Sequence, residues 1–198
     1  MTGGAVPDGT LQIPRDHHQT DLFLWHQYQG KNTNDCAAFS IAIVANAVLN
    51  RPQFEGFQVA REMEKLAFIP SPLPHLALRK VPRWAAFPWG ISSYLHSKNI
   101  PARLYWFASP EQLLRNIRED RFTIVILGDL RKGWGHAKVL YGYEPDGPRP
   151  ERGFYFVDPG YPREWSRPHQ PQGVFWQNEN EFKLQWNSLF RLLIEIRS

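Results

Sequence analysis

Four residues of this chain could share one piece of chemistry. Cys36, the sole cysteine, follows Asn34-Asp35 and opens an apolar run, Cys36-Ala-Ala-Phe-Ser-Ile-Ala-Ile-Val-Ala-Asn-Ala-Val-Leu49. A helix starting there would turn unpaired N–H groups and a positive dipole end toward the sulfur, favouring thiolate over thiol. His136 stands in Gly135-His136-Ala137-Lys138, where a Gly-bearing loop gives way to an apolar segment. Asp158 closes the next apolar segment, Phe154-Tyr-Phe-Val-Asp158-Pro-Gly-Tyr161. A thiol, an imidazole to take its proton and a carboxylate to fix the imidazole tautomer make a nucleophilic triad. Gln29, seven residues before the cysteine, could donate its amide to an oxyanion, with Gln27 as the alternative.

Each residue also has a plainer reading. Free cysteine is among the most buried residue types. A histidine on a strand is often structural, and Asp-Pro-Gly after a strand is a common turn. The combination in chain order is what points to catalysis.

These side chains need particular elements to hold them. Asp35 or Asn34 is placed to cap a helix over roughly 36–50. Its apolar residues occupy nearly every face, so it should be central and buried. Arg51-Pro52 ends it. Before it, residues 1–20 read as a flexible polar arm, and Phe23 to Tyr28 as a short strand or an extended approach. A second helix is expected around 57–67, from Val59, Met63 and Leu66. Five prolines between 70 and 88 imply a surface loop or a seam. A further helix opens at Pro88 and runs to about His96.

The second half reads mostly as strands: 102–107, 122–127, 136–143, 153–157 and 189–196. Ser109-Pro110 starts a capped helix among them, and 179–186 forms another. Prolines at 145, 148 and 150 mark the turn between the third and fourth strands, and 159–173 is loop. If those two strands form a hairpin, His136 and Asp158 fall at the same end of neighbouring strands. One α+β domain over 21–198 follows, with a helical part to about 100 and a mainly sheet part from 101.

Composition excludes several classes. At 198 residues, 42% hydrophobic and with eight tryptophans, the chain is globular. The formal net charge is +4, and Arg79, Lys80 and Arg83 are interrupted by Val81-Pro82, so nothing suggests a nucleic-acid surface. One cysteine rules out an internal disulfide. His17, His18 and His26 lack companions at ligand spacing, and no metal or cofactor is expected. The N-terminus has no signal-peptide pattern, and no apolar stretch is long enough for a bilayer, which points to the cytoplasm and to no membrane role.

The order Gln29, Asn34-Asp35-Cys36, Gly135-His136-Ala-Lys-Val-Leu-Tyr-Gly-Tyr143 and Phe156-Val-Asp158-Pro159 resembles the papain-like cysteine peptidases. More narrowly it resembles the bacteriocin-leader, or double-glycine, processing peptidases. Phe182-Lys-Leu-Gln-Trp186 is similar to a segment preceding that family's last strand. The likeness runs from about 25 to 196 and is loose over 51–100. It implies a two-lobe α+β fold, with the nucleophile helix packed on an antiparallel sheet. It implies Cys36, His136, Asp158 and Gln29 as catalytic residues, a thioester intermediate and a peptide or protein substrate. Two departures stand out: Ala37 follows the nucleophile where the family has Gly, and Gln29 lies one residue further from the cysteine than usual. Three outcomes stay open: hydrolysis, acyl transfer or deamidation by the same triad, and a non-catalytic peptide-binding module using Trp89, Trp106 and Trp134.

Overall fold

The apolar run after Cys36 forms a helix, α1 (Cys36–Leu49), in which every residue from Ala37 to Ala47 is buried. The computed structural model describes residues 18–31, 33–69, 75–145, 152–167 and 170–197. Most of the arm expected at 1–20 lies outside them, as do Pro70, Pro72, Pro74 and most of the turn at 144–152. Burial of α1 on all sides follows from its position. The strand β5 (Trp134–Glu144) packs on one side, while α2 (Gly56–Met63), α3 (Pro88–Ser97) and a 3-10 segment (His18–Trp25) close the others.

The two polar residues inside α1 are both satisfied. Asn46 accepts from the Gln53 and Phe54 amides at 2.9 and 2.8 Å and donates to the Phe54 carbonyl at 2.9 Å, closing the loop to α2. Ser40 donates to the Ala137 carbonyl at 3.1 Å. Asn50 ends the helix in the left-handed conformation that asparagine tolerates (φ 48°).

The sheet has six antiparallel strands in the order β3 (Ala102–Tyr105), β8 (Leu193–Ile196), β4 (Phe122–Asp129), β5, β6 (Gly153–Val157) and β7 (Val174–Asn178). Strand alternation sends its side chains to two cores. Ile124, Ala137, Val139, Tyr155, Val157 and Ile194 meet α1 and its neighbours. Val125, Leu127, Leu140, Phe156 and Leu193 meet α4 (Pro110–Arg118) and α5 (Glu179–Ser188) on the other face. The chain is α+β as its sequence implied, with the sheet covered on both sides.

Several boundaries differ from expectation. Phe23 to Trp25 are helical, in a 3-10 turn, with only 26–30 running without regular structure. The second helix stops at Met63, and β1 (Leu66–Ile69) pairs with β2 (His75–Leu78) as a separate hairpin. Strand β7 occupies 174–178, a segment for which the sequence predicts no element. Strands β3 and β8 are shorter than the 102–107 and 189–196 expected, because Phe107, Phe190 and Arg191 take left-handed backbone (φ 57°, 55° and 50°). Among the described residues no helix is long and apolar enough to cross a membrane.

Candidate active site

Cys36 is the first residue of α1 and follows Asp35, which holds the N-cap position without capping through its side chain. That carboxylate turns instead to Lys80, 3.1 Å away, whose ammonium also meets Glu64 at 2.6 Å. Lys80 is only 1% exposed, so the segment before the thiol is anchored to a buried charge.

The backbone of one β5 residue fixes the thiol against the sheet. The Ala137 N–H donates to Cys36 Sγ at 3.4 Å, while the Ala137 carbonyl accepts from Ser40, one helical turn on. Residues four apart share a helix face, so Cys36 and Ser40 grip the same strand residue.

His136 precedes that residue, as the third residue of β5 rather than its first. Its Nε2 meets Asp158 Oδ1 at 2.6 Å, and the ring is also hydrogen-bonded to the Cys36 thiol. With Nε2 occupied, the contact to sulfur falls to Nδ1. Asp158 follows β6 directly and is 1% exposed, and its Oδ1 accepts the Gly160 N–H at 2.8 Å as well. Pairing of β5 with β6 carries His136 and Asp158 to the same end of the sheet.

The charges follow from this geometry. Burial pushes the Cys36 thiol up, but the His136 hydrogen bond and charge and the Ala137 N–H outweigh it, and the pKa ends below its ordinary value. Burial pulls His136 down, whereas the Asp158 charge and hydrogen bond, joined by Cys36, lift it to about 10. Burial pushes Asp158 up, but His136, Lys138 and the Gly160 N–H draw it down to about 2. All three directions favour a thiolate–imidazolium pair with an ionised aspartate behind it.

The two glutamines are separated by their partners. Gln27 donates to the Phe54 carbonyl at 2.8 Å and accepts from the Gly56 N–H at 2.9 Å, so its amide is committed to the start of α2. Gln29 is tied by its backbone, with its N–H on the Pro159 carbonyl at 3.0 Å and its carbonyl accepting from Thr33 at 3.1 Å. Its buried side-chain oxygen has no partner among the described residues. Gln29 is therefore the glutamine whose side-chain oxygen the fold leaves without a partner, beside the turn that carries Asp158. His26 strengthens that junction through Nε2 on the Asp158 carbonyl at 3.0 Å.

Three supporting residues escaped the sequence reading. Gly160 looked like an ordinary turn glycine, yet a Cβ there would lie 3.0 Å from the His136 ring and 3.1 Å from Asp158 Oδ1. Ser40 could have been found from its four-residue spacing to Cys36. Lys138 could have been found by alternation, two residues from His136 on one strand. The tryptophans proposed as a binding surface are all partly exposed. Trp89 stacks on Phe87 at 4.3 Å, Trp106 leans on Phe190 at 6.2 Å, and Trp134 opens β5. Among the described residues no three histidine, cysteine or acidic side chains group as a metal site.

No protein-family model and no curated protein matches this sequence. Among solved structures, a provisionally assigned C39-like peptidase from Bacillus anthracis superposes with a TM-score of 0.60 at 12% identity, over 89% of this chain and 96% of that one. UfSP from C. elegans gives a TM-score of 0.43 at 14% identity, over 87% of this chain and 32% of that one. The first likeness places the chain in the papain-like α+β fold of C39-like peptidases.

Proposed function

We propose that this protein is a cysteine peptidase or close amidohydrolase, with Cys36 as nucleophile, His136 as acid and base, Asp158 as orienter and Gln29 at the oxyanion. The observation that carries this reading is the unbroken chain of contacts from Cys36 through His136 to Asp158, in a papain-like fold.

The Cys36 thiolate attacks the carbonyl carbon of a peptide or amide bond. The carbonyl oxygen takes up the charge, met by the Gln29 amide and the Cys36 backbone N–H. The tetrahedral adduct collapses as His136 Nδ1 gives its proton to the departing amine, leaving a thioester on Cys36. His136 then takes a proton from water, the hydroxide adds to the thioester, and the adduct collapses to release the acid product and the Cys36 thiolate beside the His136 imidazolium. Asp158 holds Nε2–H throughout, so Nδ1 always faces the sulfur.

Digestion of a mixed peptide library, read by mass spectrometry, tests the reading. The wild-type chain should yield fragments, and Cys36→Ala should yield none while keeping its circular dichroism spectrum. A mass change without cleavage, or a crosslink, would assign the thioester to another amine or to side-chain deamidation. Fragments from Cys36→Ala would remove the thiol from the mechanism.

A further inference from the structure

Beneath the triad lies a buried lysine that the mechanism above does not use. Lys138 is 8% exposed and shares the side of β5 that His136 occupies. Its ammonium lies 3.6 Å from Asp158 Oδ2, the carboxylate oxygen opposite the one that holds His136. It donates to Gln177 Oε1 at 2.8 Å and sits 4.4 Å from the centre of the Phe156 ring. Gln177 donates onward to Gln185 at 2.9 Å, and Gln185 to Glu181 at 3.2 Å. A continuous polar path therefore runs from the exposed face of α5, through β7, to the carboxylate behind the imidazole.

Burial draws the Lys138 ammonium below its ordinary lysine value, and the Asp158 charge, the Gln177 amide and the Phe156 ring face work against that fall. The rest of that face of β5 is apolar, with Leu140 in the core two residues on. A residue that only filled space there would be better as a methionine or leucine.

We infer that Lys138 is a positioning residue, whose charge holds the second oxygen of Asp158 and sets the protonation range of the Cys36–His136 pair. This rests on the peptidase reading above. A positive charge close behind Asp158 offsets part of the carboxylate's pull on the imidazolium, so His136 gives up its proton at lower pH than with Asp158 alone. The same charge favours the Cys36 thiolate. Asp158 acts directly on the pair, and around Asp158 lie Lys138 from β5, His26 before α1 and Tyr161 in the loop after β6, with Arg163 acting on His26 and Glu181 from α5 acting on Lys138 and Tyr161. Of these, Lys138 is the cation in contact with Asp158, while Arg163 acts through His26.

The test is the rate of iodoacetamide alkylation of Cys36 against pH, in wild type, Lys138→Met and Lys138→Arg. Methionine keeps the length and loses the charge. Both titration steps, thiol ionisation and imidazolium deprotonation, should move upward by roughly one pH unit in Lys138→Met. Lys138→Arg should stay close to wild type. If Lys138→Met does not fold, Lys138→Gln asks the same question with the same expected shift. A neutral variant whose steps coincide with wild type would overturn the positioning role. A wild-type profile with a single step at the ordinary cysteine range would overturn the ion pair, and this inference with it. The two failures are distinguishable because the second appears before any lysine is replaced.

Discussion

Glycine at 160 has two tasks at once: its N–H donates to Asp158, and its missing side chain leaves room for the His136 ring. Gly160→Ala should push the imidazole or the carboxylate aside and lengthen a 2.6 Å contact. We expect a fall in alkylation rate and turnover of about tenfold with thermal stability lowered by less than a kcal/mol-scale core deletion, since no buried group is lost. Side-by-side melting and kinetics check this, and unchanged kinetics would detach Gly160 from the site. At this scale the sequence was legible where chemistry dictates residue type. Cys36, His136 and Asp158 could be named because few other residues do their work. Gly160 could not, because Asp-Pro-Gly has the same form whether or not an imidazole lies above it. Gln29 and Gln27 could not be separated until the Phe54 carbonyl and Gly56 N–H were found on Gln27.

At the scale of elements, the placement of α1 on β5 decides whether a triad exists. Ser40 and Cys36 bind the backbone carbonyl and N–H of Ala137, so the helix has one axial position relative to the strand. Ser40→Ala would leave a buried carbonyl without that donor and should cost about 1–3 kcal/mol in denaturant unfolding. It should also slow alkylation, because a shift of the helix loosens the thiol from His136. Lys80→Met removes the cation between Asp35 and Glu64, and should cost roughly 2 kcal/mol, below a fully buried pair because both carboxylates keep some solvent. A melting temperature equal to wild type in either variant would contradict its part of the argument. Helix α1, α4 with its Ser109 cap and the β5–β6 pairing were readable from periodicity and caps. The β1–β2 hairpin and β7 were not, because pairing with a partner strand defines them more than a pattern of their own.

Over the whole molecule, the two halves of the chain meet at a charge pair, and stability should depend on pH accordingly. Asp158 is drawn from 3.8 to about 2 in the folded protein, so its contribution is present above pH 4 and is lost as pH falls through that interval. His136 is raised from 6.5 to about 10, so its contribution is present below 6.5 and is lost as pH rises through that interval. The lowered Cys36 thiol works in the opposite sense, its contribution present above the ordinary thiol value and lost as pH falls, so it offsets the His136 decline and leaves the acid limb set by Asp158, below about pH 4, as the one expected to show. Chemical denaturation across pH checks this, and Asp158→Asn should flatten the acid limb. The overall architecture was legible as helices first and strands later. That α4 and α5 would cover the second sheet face was not, because their apolar faces do not say which side of a sheet they meet. The central claim is that a thiolate from the first half is paired with an imidazolium from the second, and iodoacetamide alkylation at pH 6.5 measures it directly. Wild-type Cys36 should react at least about tenfold faster than Cys36 in folded His136→Ala. Equal rates in the two proteins would contradict the pair, and with it the proposed catalysis.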